Sequence, residues 1–224
     1  MSIPAAELDV APDRVEAAAF IMALRARGIR DTAVLRAMER VPRDLFAPRR
    51  FADLSRTDVS LPLPCGQTMT GPGTVAAMLV ALEAKPEQRV LEVGTGSGYV
   101  TALLARLGCK VHTIERYATL AESAAGRFAI AEVAEAVTSN VGDGLAPDPP
   151  EDKFDRILLN GAVPEVPEVL TSLLAVGGRL VGALTASGFP RLVCIERQPD
   201  GSLHESRGAA LRLPPLVAGA AAAL

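Results

Sequence analysis

The sequence has few of the residues that build metal centres, disulfide frameworks or aromatic cores. Its 224 residues include no Trp, two His and three Cys, and aromatic residues make up 4% of the chain. The cysteines show no C-x-x-C spacing and the two histidines are far apart, so we expect neither a disulfide framework nor a metal site. With so few aromatic residues, the core must consist of Leu, Val, Ala and Ile.

Long apolar runs and dense basic clusters are also missing. No segment approaches the roughly 18 uninterrupted apolar residues of a membrane span, and the chain does not open with the basic and apolar regions of a signal peptide. The formal net charge is −3, and no stretch of Lys and Arg has the density of a nucleic-acid footprint. We therefore expect a cytoplasmic monomer with neither membrane nor nucleic-acid partners.

The most informative passage is a glycine-rich loop at residues 90–98. A short apolar strand contains Glu92, and glycines follow at positions 94, 96 and 98 before a predicted helix. Alternate glycines permit a sharp turn and a close approach of the backbone to a ligand. The dinucleotide fingerprint G-x-G-x-x-G needs its third glycine one residue later, where Tyr99 stands. The loop thus predicts a nucleotide cofactor of another kind, with an ordinary tight turn as the alternative.

The spacing E-x-G-x-G-x-G resembles motif I of the class I methyltransferases, which bind S-adenosylmethionine (SAM). Acidic residues at the ends of the next two predicted strands agree with this resemblance. Glu115 lies about 20 positions beyond the glycines, where two carboxylate oxygens suit the vicinal hydroxyls of a ribose. Asp143, followed by Gly144, can accept a hydrogen bond from an adenine amino group. The alternatives are a helix-start carboxylate for Glu115 and a plain turn aspartate for Asp143.

Strands and helices alternate along most of the chain, which predicts a mostly parallel sheet with an antiparallel hairpin at its end. We predict helices at residues 13–27, 31–40, 72–84, 97–107, 118–128 and 166–174. We predict strands at residues 89–93, 110–114, 136–141, 154–160, 179–184, 191–197 and 206–213, and an irregular region at 41–63. Ligands bind beyond the carboxyl ends of parallel strands, so the polar residues there are expected to converge on one cleft. These residues are Glu92, Glu115, Asp143 and Asn160.

Blocks outside the glycine loop resemble the protein-L-isoaspartate O-methyltransferases. Residues 24–46 contain V-P-R-D-L-F, and residues 61–72 read L-P-L-P-C-G-Q-T-M-T-G-P against a family pattern near L-P-I-x-x-G-Q-T-I-S-x-P. Residues 154–167 resemble the family's F-D-x-I-x-x-x-A-A-P-x-x-P block, and residues 211–217 resemble its final strand. The resemblance spans residues 20–217, and its G-Q-T and V-P-R blocks are far more specific than the glycine loop.

This resemblance implies an α/β, Rossmann-like class I methyltransferase fold, with a mostly parallel seven-stranded sheet, a C-terminal antiparallel hairpin and added N-terminal helices. We expect a single domain over residues 1–224. Residues 12–84 would form the helical and substrate-cleft segment, residues 85–217 the core, and residues 1–11 and 218–224 loose ends. The implied activity is SAM-dependent methylation of the α-carboxylate of L-isoaspartyl residues, for repair of damaged proteins or peptides, which are the expected partners.

The resemblance also assigns site residues. Thr70 stands at the position of the family's active-site serine and would orient the acceptor carboxylate, while its alternative role is an N-cap for the next helix. The methionine portion of SAM would lie on the glycine loop, the ribose on Glu115 and the adenine near Asp143. The residues implied to contact the cofactor or line its cleft are Gln67, Thr68, Met69, Thr70, Glu92, Gly94, Gly96, Gly98, Glu115, Asp143 and Gly144.

Two stretches depart from the family pattern. At residues 182–191 the family's P-V-G and a following glutamine are missing, in a loop that closes over cofactor and substrate in the family. Arg56 and Thr57 stand where the family often has an aromatic residue followed by Asp. Two alternatives therefore stay open. One is a methyltransferase on the same scaffold with another acceptor, such as a small carboxylate or a peptide-tailoring substrate. The other is a SAM-binding module without turnover.

Overall fold

The computed structural model describes residues 12–148, 153–185, 188–219 and 221. The predicted loose end at residues 1–11 lies outside the described residues, and so do positions 220 and 222–224 of the predicted loose tail. Positions 186 and 187 of the departing loop also lie outside them.

Helices and strands alternate along the described residues. The helices are α1 (Pro12–Ala26), α2 (Thr32–Arg40), α3 (Arg43–Phe46), α4 (Pro72–Leu82), α5 (Tyr99–Arg106), α6 (Ala118–Ile130) and α7 (Glu168–Ser172). The strands are β1 (Leu61–Pro62), β2 (Thr68–Met69), β3 (Arg89–Val93), β4 (Lys110–Glu115), β5 (Val137–Val141), β6 (Phe154–Val163), β7 (Leu174–Leu184), β8 (Arg191–Arg197) and β9 (Leu203–Ala210). Among the residues that the structure describes, no helix is both long enough and apolar enough to cross a bilayer.

Seven of the strands form one sheet in the order β5-β4-β3-β6-β7-β8-β9. Strands β3 to β7 are parallel to one another, and β8 runs antiparallel to both β7 and β9. The predicted fold class, a mostly parallel seven-stranded sheet with an antiparallel C-terminal hairpin and added N-terminal helices, is confirmed. Because the carboxyl ends of β3, β4, β5 and β6 meet at one edge, the loops that follow them lie side by side.

The core lies on both faces of the sheet. Successive residues of a strand point to opposite faces, so Val90 packs into a cluster with Leu79 of α4 and Leu103 of α5, while Leu91 packs with Leu170 of α7. The apolar residues of β3 are buried on both sides, as expected for a central parallel strand. This burial holds the carboxyl end of β3, where the glycine loop begins, in a rigid frame.

The predicted helix at residues 166–174 is confirmed but shorter, because α7 covers Glu168–Ser172 and β7 already begins at Leu174. The Gly pair at 177–178 lies inside β7, where the register with β6 shifts between Leu174 opposite Phe154 and Arg179 opposite Arg156. The apolar periodicity of a short segment indicates a helix but does not fix its ends.

Two further boundaries differ from the predictions. The last strand covers Leu203–Ala210 rather than residues 206–213, and Leu211 and Leu213 leave the sheet to pack into the core. The predicted irregular region at 41–63 contains α3 and a 3-10 turn at Arg49–Leu54. Elements of four to six residues are too short to show a clear helical periodicity in the sequence.

Close packing between α5 and α6 predicts the effect of adding a methyl group at Gly98. Its φ is +87°, and a Cβ there would lie 2.7 Å from Phe128 Cε1 and 3.0 Å from Ala124 Cβ. Gly28 has a φ of +93° but no atom within 4 Å of such a Cβ. We expect Gly28→Ala to lower the free energy of unfolding by about 1–2 kcal/mol, the cost of a left-handed alanine. Gly98→Ala should lower it by about 1–3 kcal/mol more, because it also overpacks the core.

Urea unfolding of the two variants beside the wild type measures this difference. Equal losses at the two positions would show that the contact between α5 and α6 tolerates a methyl group.

Candidate functional site

The chain turns sharply between β3 and α5, and three glycines make the turn possible. Gly94, Gly96 and Gly98 have φ values of +92°, +55° and +87°, which are in the left-handed region. The Gly94 amide donates to the carbonyl of Ile114 at 2.9 Å, so the loop begins as an extension of the sheet. A Cβ at Gly96 would meet no atom closer than 3.8 Å. The backbone at Gly96 is therefore open to a ligand.

Glu115, at the end of β4, holds this loop in place. Its Oε2 accepts a hydrogen bond from the Gly96 amide at 2.8 Å, and its Oε1 accepts one from the Tyr117 amide at 3.1 Å. Tyr117 is the N-cap residue of α6, so Glu115 also serves as the helix-start carboxylate of the alternative interpretation. A carboxylate has about four lone-pair positions, which leaves two of them for a ligand in the cleft.

Glu92 lies beneath the loop rather than beside the cleft. Its side chain is completely buried, and its Oε2 accepts hydrogen bonds from Thr101 Oγ1 at 2.5 Å and from Thr113 Oγ1 at 2.8 Å. The other carboxyl oxygen has no hydrogen-bond partner. Burial raises the pKa of Glu92 to about 8, although the two hydroxyl groups lower it. The carboxyl group is therefore mostly protonated at neutral pH, and it joins β3 to β4 and α5.

Asp143 and Gly144 follow β5. Asp143 Oδ1 accepts a hydrogen bond from the Leu145 amide at 2.9 Å, which is the turn geometry of the alternative interpretation. Its Oδ2 accepts another from the Gly219 amide at 2.6 Å. A Cβ at Gly144 would lie 2.6 Å from Val93 Cγ1, so only glycine fits there without displacing its neighbour. The two residues bring the loop after β5 close to the end of β3.

A cleft opens where β3, β4, β5 and β6 end, and its empty space, which includes open solvent at its mouth, is about 660 Å³. Six of the predicted site residues are among those that line it, namely Gln67, Thr68, Gly94, Gly96, Glu115 and Gly144. A smaller recess, with about 250 Å³ of empty space including open solvent, adjoins it and is lined in part by Thr68, Met69, Thr70, Gly96 and Asn160. The remaining predicted residues, Glu92, Gly98 and Asp143, line neither space.

The segment with Gln67 to Thr70 enters the site as one strand of a small hairpin. Strand β2 pairs with β1, with Met69 opposite Leu61. Thr70 follows directly and is 6% exposed. The alternative role of Thr70 as a helix cap is wrong in this structure, because Gly71 is the N-cap residue of α4 and makes no side-chain capping bond. Asp58 supplies that function from a distant loop by accepting the Gly73 amide at 2.7 Å.

Arg43 is a positioning residue that sequence reasoning did not single out. It is 3% exposed, and its guanidinium donates hydrogen bonds to the carbonyls of Ser55 at 2.8 Å, Val59 at 3.0 Å and Thr70 at 3.1 Å. Burial lowers the pKa of Arg43, while nearby Tyr99 and Asp58 raise it. The V-P-R block contained this residue, but only the structure shows that it ties α3 to the backbone of Thr70.

The C-terminal segment forms a wall that sequence reasoning also missed. Residues 214–217 line the cleft. Leu216 donates its amide to the Ala162 carbonyl at 2.8 Å, and Ala162 donates its own amide to the Pro214 carbonyl at 2.8 Å. Arg116 donates to the Val217 carbonyl at 3.2 Å. Residues far apart in sequence therefore complete a cleft whose floor is the glycine loop.

The raised pKa of Glu92 predicts how stability depends on pH. The folded protein binds the Glu92 proton more tightly than the unfolded chain does, so the protonated side chain stabilises the folded state. This contribution to the free energy of unfolding is greatest below about pH 4.5 and is lost as the pH rises to about 8. Glu92→Gln removes the titration. We expect the free energy of unfolding of the wild type, relative to that variant, to fall by about 3–5 kcal/mol over this range.

Urea unfolding at about pH 5 and about pH 8.5 measures the change. Glu122→Gln, at an exposed position of α6, should follow the wild type at both pH values. A Glu92→Gln variant with the same pH dependence as the wild type would contradict the assignment.

Comparison with known proteins gives the same family as the sequence blocks. A family model described as Protein-L-isoaspartate(D-aspartate) O-methyltransferase (PCMT) matches residues 15–221. A protein-L-isoaspartate O-methyltransferase of Azorhizobium caulinodans is 44% identical over 219 residues, covering 96% of this chain and 99% of the relative. Another from Caulobacter sp. is 47% identical over 163 residues, covering 73% of this chain and 74% of the relative.

A solved structure agrees at the level of the fold. It is described as a protein-L-isoaspartate O-methyltransferase from Plasmodium falciparum in complex with S-adenosyl-L-homocysteine. It matches with a TM-score of 0.76 at 22% identity, covering 89% of this chain and 97% of that chain. The sheet order, the glycine loop, the family match over most of the chain and the nearly full-length relatives lead to one conclusion: this chain belongs to the protein-L-isoaspartate O-methyltransferase family.

Proposed function

We propose that this protein is a SAM-dependent methyltransferase that methylates the α-carboxylate of L-isoaspartyl residues in damaged proteins, as a step in their repair. The observation that carries the proposal is the junction of two spaces. A cofactor cleft built on the glycine loop adjoins a recess lined by Thr70, and Thr68 and Gly96 line both. The part of the chain that resembles a SAM site and the part specific to the family therefore meet at one place.

The lining of the cleft fits SAM in its chemistry. Gly96 leaves its backbone open, Glu115 keeps lone pairs for ribose hydroxyls, and Asn160 has a buried oxygen without a hydrogen-bond partner. We assign the methionine portion to the loop at 94–98, the ribose to Glu115, and the adenine to the side of Asp143 and Gly144.

The reaction requires positioning rather than a general base. Bound SAM supplies a methyl group on a sulfonium sulfur. An α-carboxylate, with a usual pKa of about 3.3–3.7, is already ionised at neutral pH. Thr70 offers a neutral hydroxyl that can orient this carboxylate without binding it as tightly as a cation would. Met69, Val75 and Val100 make the recess partly apolar, which helps to exclude water. Such positioning can contribute on the order of 7–11 kcal/mol.

Methylation of another acceptor on the same scaffold is the second candidate, and the loop at 182–191 favours it. The described part of this loop ends β7 at Leu184, which pairs with Arg191 of β8. Gly182 packs closely against Leu159, with a Cβ position 3.0 Å from Leu159 Cβ. This segment carries neither the proline nor the glutamine of the family pattern, which favours a different acceptor.

We also propose that the protein works as a cytoplasmic monomer on protein substrates and does not bind nucleic acids. The net charge of −3 and the absence of a dense basic run in the sequence support the last part of this proposal, that the protein does not bind nucleic acids. Among the described residues, no group of three or more potential metal ligands lies together.

Substrate choice is the direct test of the function. A peptide that contains an L-isoaspartyl residue should accept the labelled methyl group of SAM, and the same peptide with a normal aspartyl residue should not. Incorporation of label into the two purified peptides measures the difference. Equal labelling of both, or labelling of a small carboxylic acid while both peptides stay unlabelled, would support the second candidate instead.

Thr70 tests the positioning role. Thr70→Val keeps the side-chain shape but removes the hydroxyl, so we expect turnover to fall by the equivalent of about 1.5–3 kcal/mol, the value of a hydrogen bond to a charged group. The melting temperature should change little, because the hydroxyl does not cap α4. Thr70→Ser should remain active. Kinetics and thermal unfolding on the same samples provide the measurement, and full activity of Thr70→Val would exclude the role.

A further inference from the structure

A second open space, the side groove, lies beside the recess that contains Thr70. It runs between the loop before β1, the first turns of α4, and the end of β9 with the residues that follow. Among the residues that line it are Asp58, Ser60, Gly71, Gly73, Thr74 and Arg212. Gly71 and Thr74 line the side groove, while their neighbours Thr70 and Val75 line the recess. The side groove therefore continues the surface on which Thr70 would orient the acceptor.

The walls of the side groove leave room for a polypeptide backbone. Gly71, Gly73, Ala209 and Ala210, which line it, have no side chain or a single methyl group. A protein substrate is a continuous chain, so the residues on either side of an isoaspartyl residue must leave the recess over the adjoining surface. Since the side groove meets the recess at successive residues of this chain, it lies where such a segment leaves.

The charged groups of the side groove are positive on balance. Asp58 is the one carboxylate among the described residues that line it, and both of its oxygens are already bonded. Its Oδ1 accepts a hydrogen bond from the Gly73 amide at 2.7 Å, and its Oδ2 forms an ion pair with Arg27 at 2.6 Å. The charge of Arg27 is thus compensated within the side groove, which leaves the charge of Arg212 uncompensated there.

Arg212 is presented to the side groove by a well-anchored stretch of backbone. Its neighbours Leu211 and Leu213 are buried in the core, whereas Arg212 is exposed. No carboxylate of the described residues pairs with its guanidinium. A guanidinium presents its N–H donors in a planar fork that matches a carboxylate. An acidic side chain on the occupant of the side groove would supply this partner.

We propose that the side groove holds the substrate segment next to the isoaspartyl residue, and that Arg212 selects an acidic side chain in that segment. Arg212 is then a specificity-determining residue and not a catalytic one, since it lines neither the cofactor cleft nor the recess. The inference rests on the proposed function, because it concerns the isoaspartyl substrate. The whole chain carries a net charge of −3, so a preference for an acidic segment must come from the local charge of the side groove.

Paired isoaspartyl peptides test the inference. The members of a pair differ only by Glu or Gln at one position, and the pairs cover about three residues on each side of the isoaspartyl residue, about 10 Å of extended chain. At one or more positions the wild type should have a KM about two- to fivefold lower for the Glu peptide, the range of exposed ion pairs. The kcat values should agree within a pair. Raising the ionic strength from about 0.1 M to about 1 M should reduce the difference, because it screens exposed charges.

Variants of two arginines locate the preference. Arg212→Gln should remove it, and Arg212→Glu should reverse it, so that a Lys peptide has a lower KM than the Gln peptide at the same position. Arg36→Gln is the matched control, since it removes the same charge from an exposed position of α2 that lines none of the three spaces. It should keep the preference of the wild type. Equal KM values of the wild type for every pair, or a preference that persists in Arg212→Gln, would overturn the inference.

The Gln peptides separate this inference from the proposed function. Methylation of these peptides without any preference for Glu would leave the proposed function standing and overturn only the role of Arg212. Failure of the wild type to methylate any isoaspartyl peptide would overturn both.

Discussion

The geometry of the site depends on the hydrogen bonds of the Glu92 carboxyl group. This group lies at the centre of the sheet and accepts hydrogen bonds from Thr113 of β4 and Thr101 of α5. Thr113 also shares a hydrogen bond of 2.6 Å with Thr95 in the glycine loop. One buried group therefore joins two strands, the loop and the following helix at the point where the chain reverses. With its pKa near 8, the group is mostly neutral at neutral pH, which avoids an uncompensated charge in the core.

A second group of hydrogen bonds attaches the N-terminal part of the chain to this frame. The guanidinium of Arg43 reaches three carbonyls, in residues 12, 16 and 27 positions away along the chain. Its planar fork can bond several acceptors at once, which a lysine cannot do in the same geometry. The last of these carbonyls belongs to Thr70. Thr70, which we propose to orient the acceptor, is thus held through its backbone carbonyl. Its side chain remains available for the reaction.

The cofactor half of the site was the more predictable half. Alternate glycines after an apolar strand, and acidic residues after the next two strands, are local signals, and the residues concerned do come together at one edge of the sheet. The predictions were less accurate where the signal was weak. The helix predicted at 166–174 is shorter in the structure, since α7 covers Glu168–Ser172. Thr70 has a side chain typical of a helix N-cap, but Gly71 takes that position.

Local patterns were thus sufficient for the alternation of strands and helices, the class of cofactor and the family. They act between neighbouring residues, through backbone freedom at glycine, the period of apolar side chains and short specific blocks. Contacts between distant residues decided the rest. They placed Glu92 below the cleft instead of in it, joined Arg43 to Thr70, and made a wall of residues 214–217. They also left Asn160 Oδ1 without a partner. These outcomes depend on where each side chain points after the elements pack, and no local periodicity contains that information.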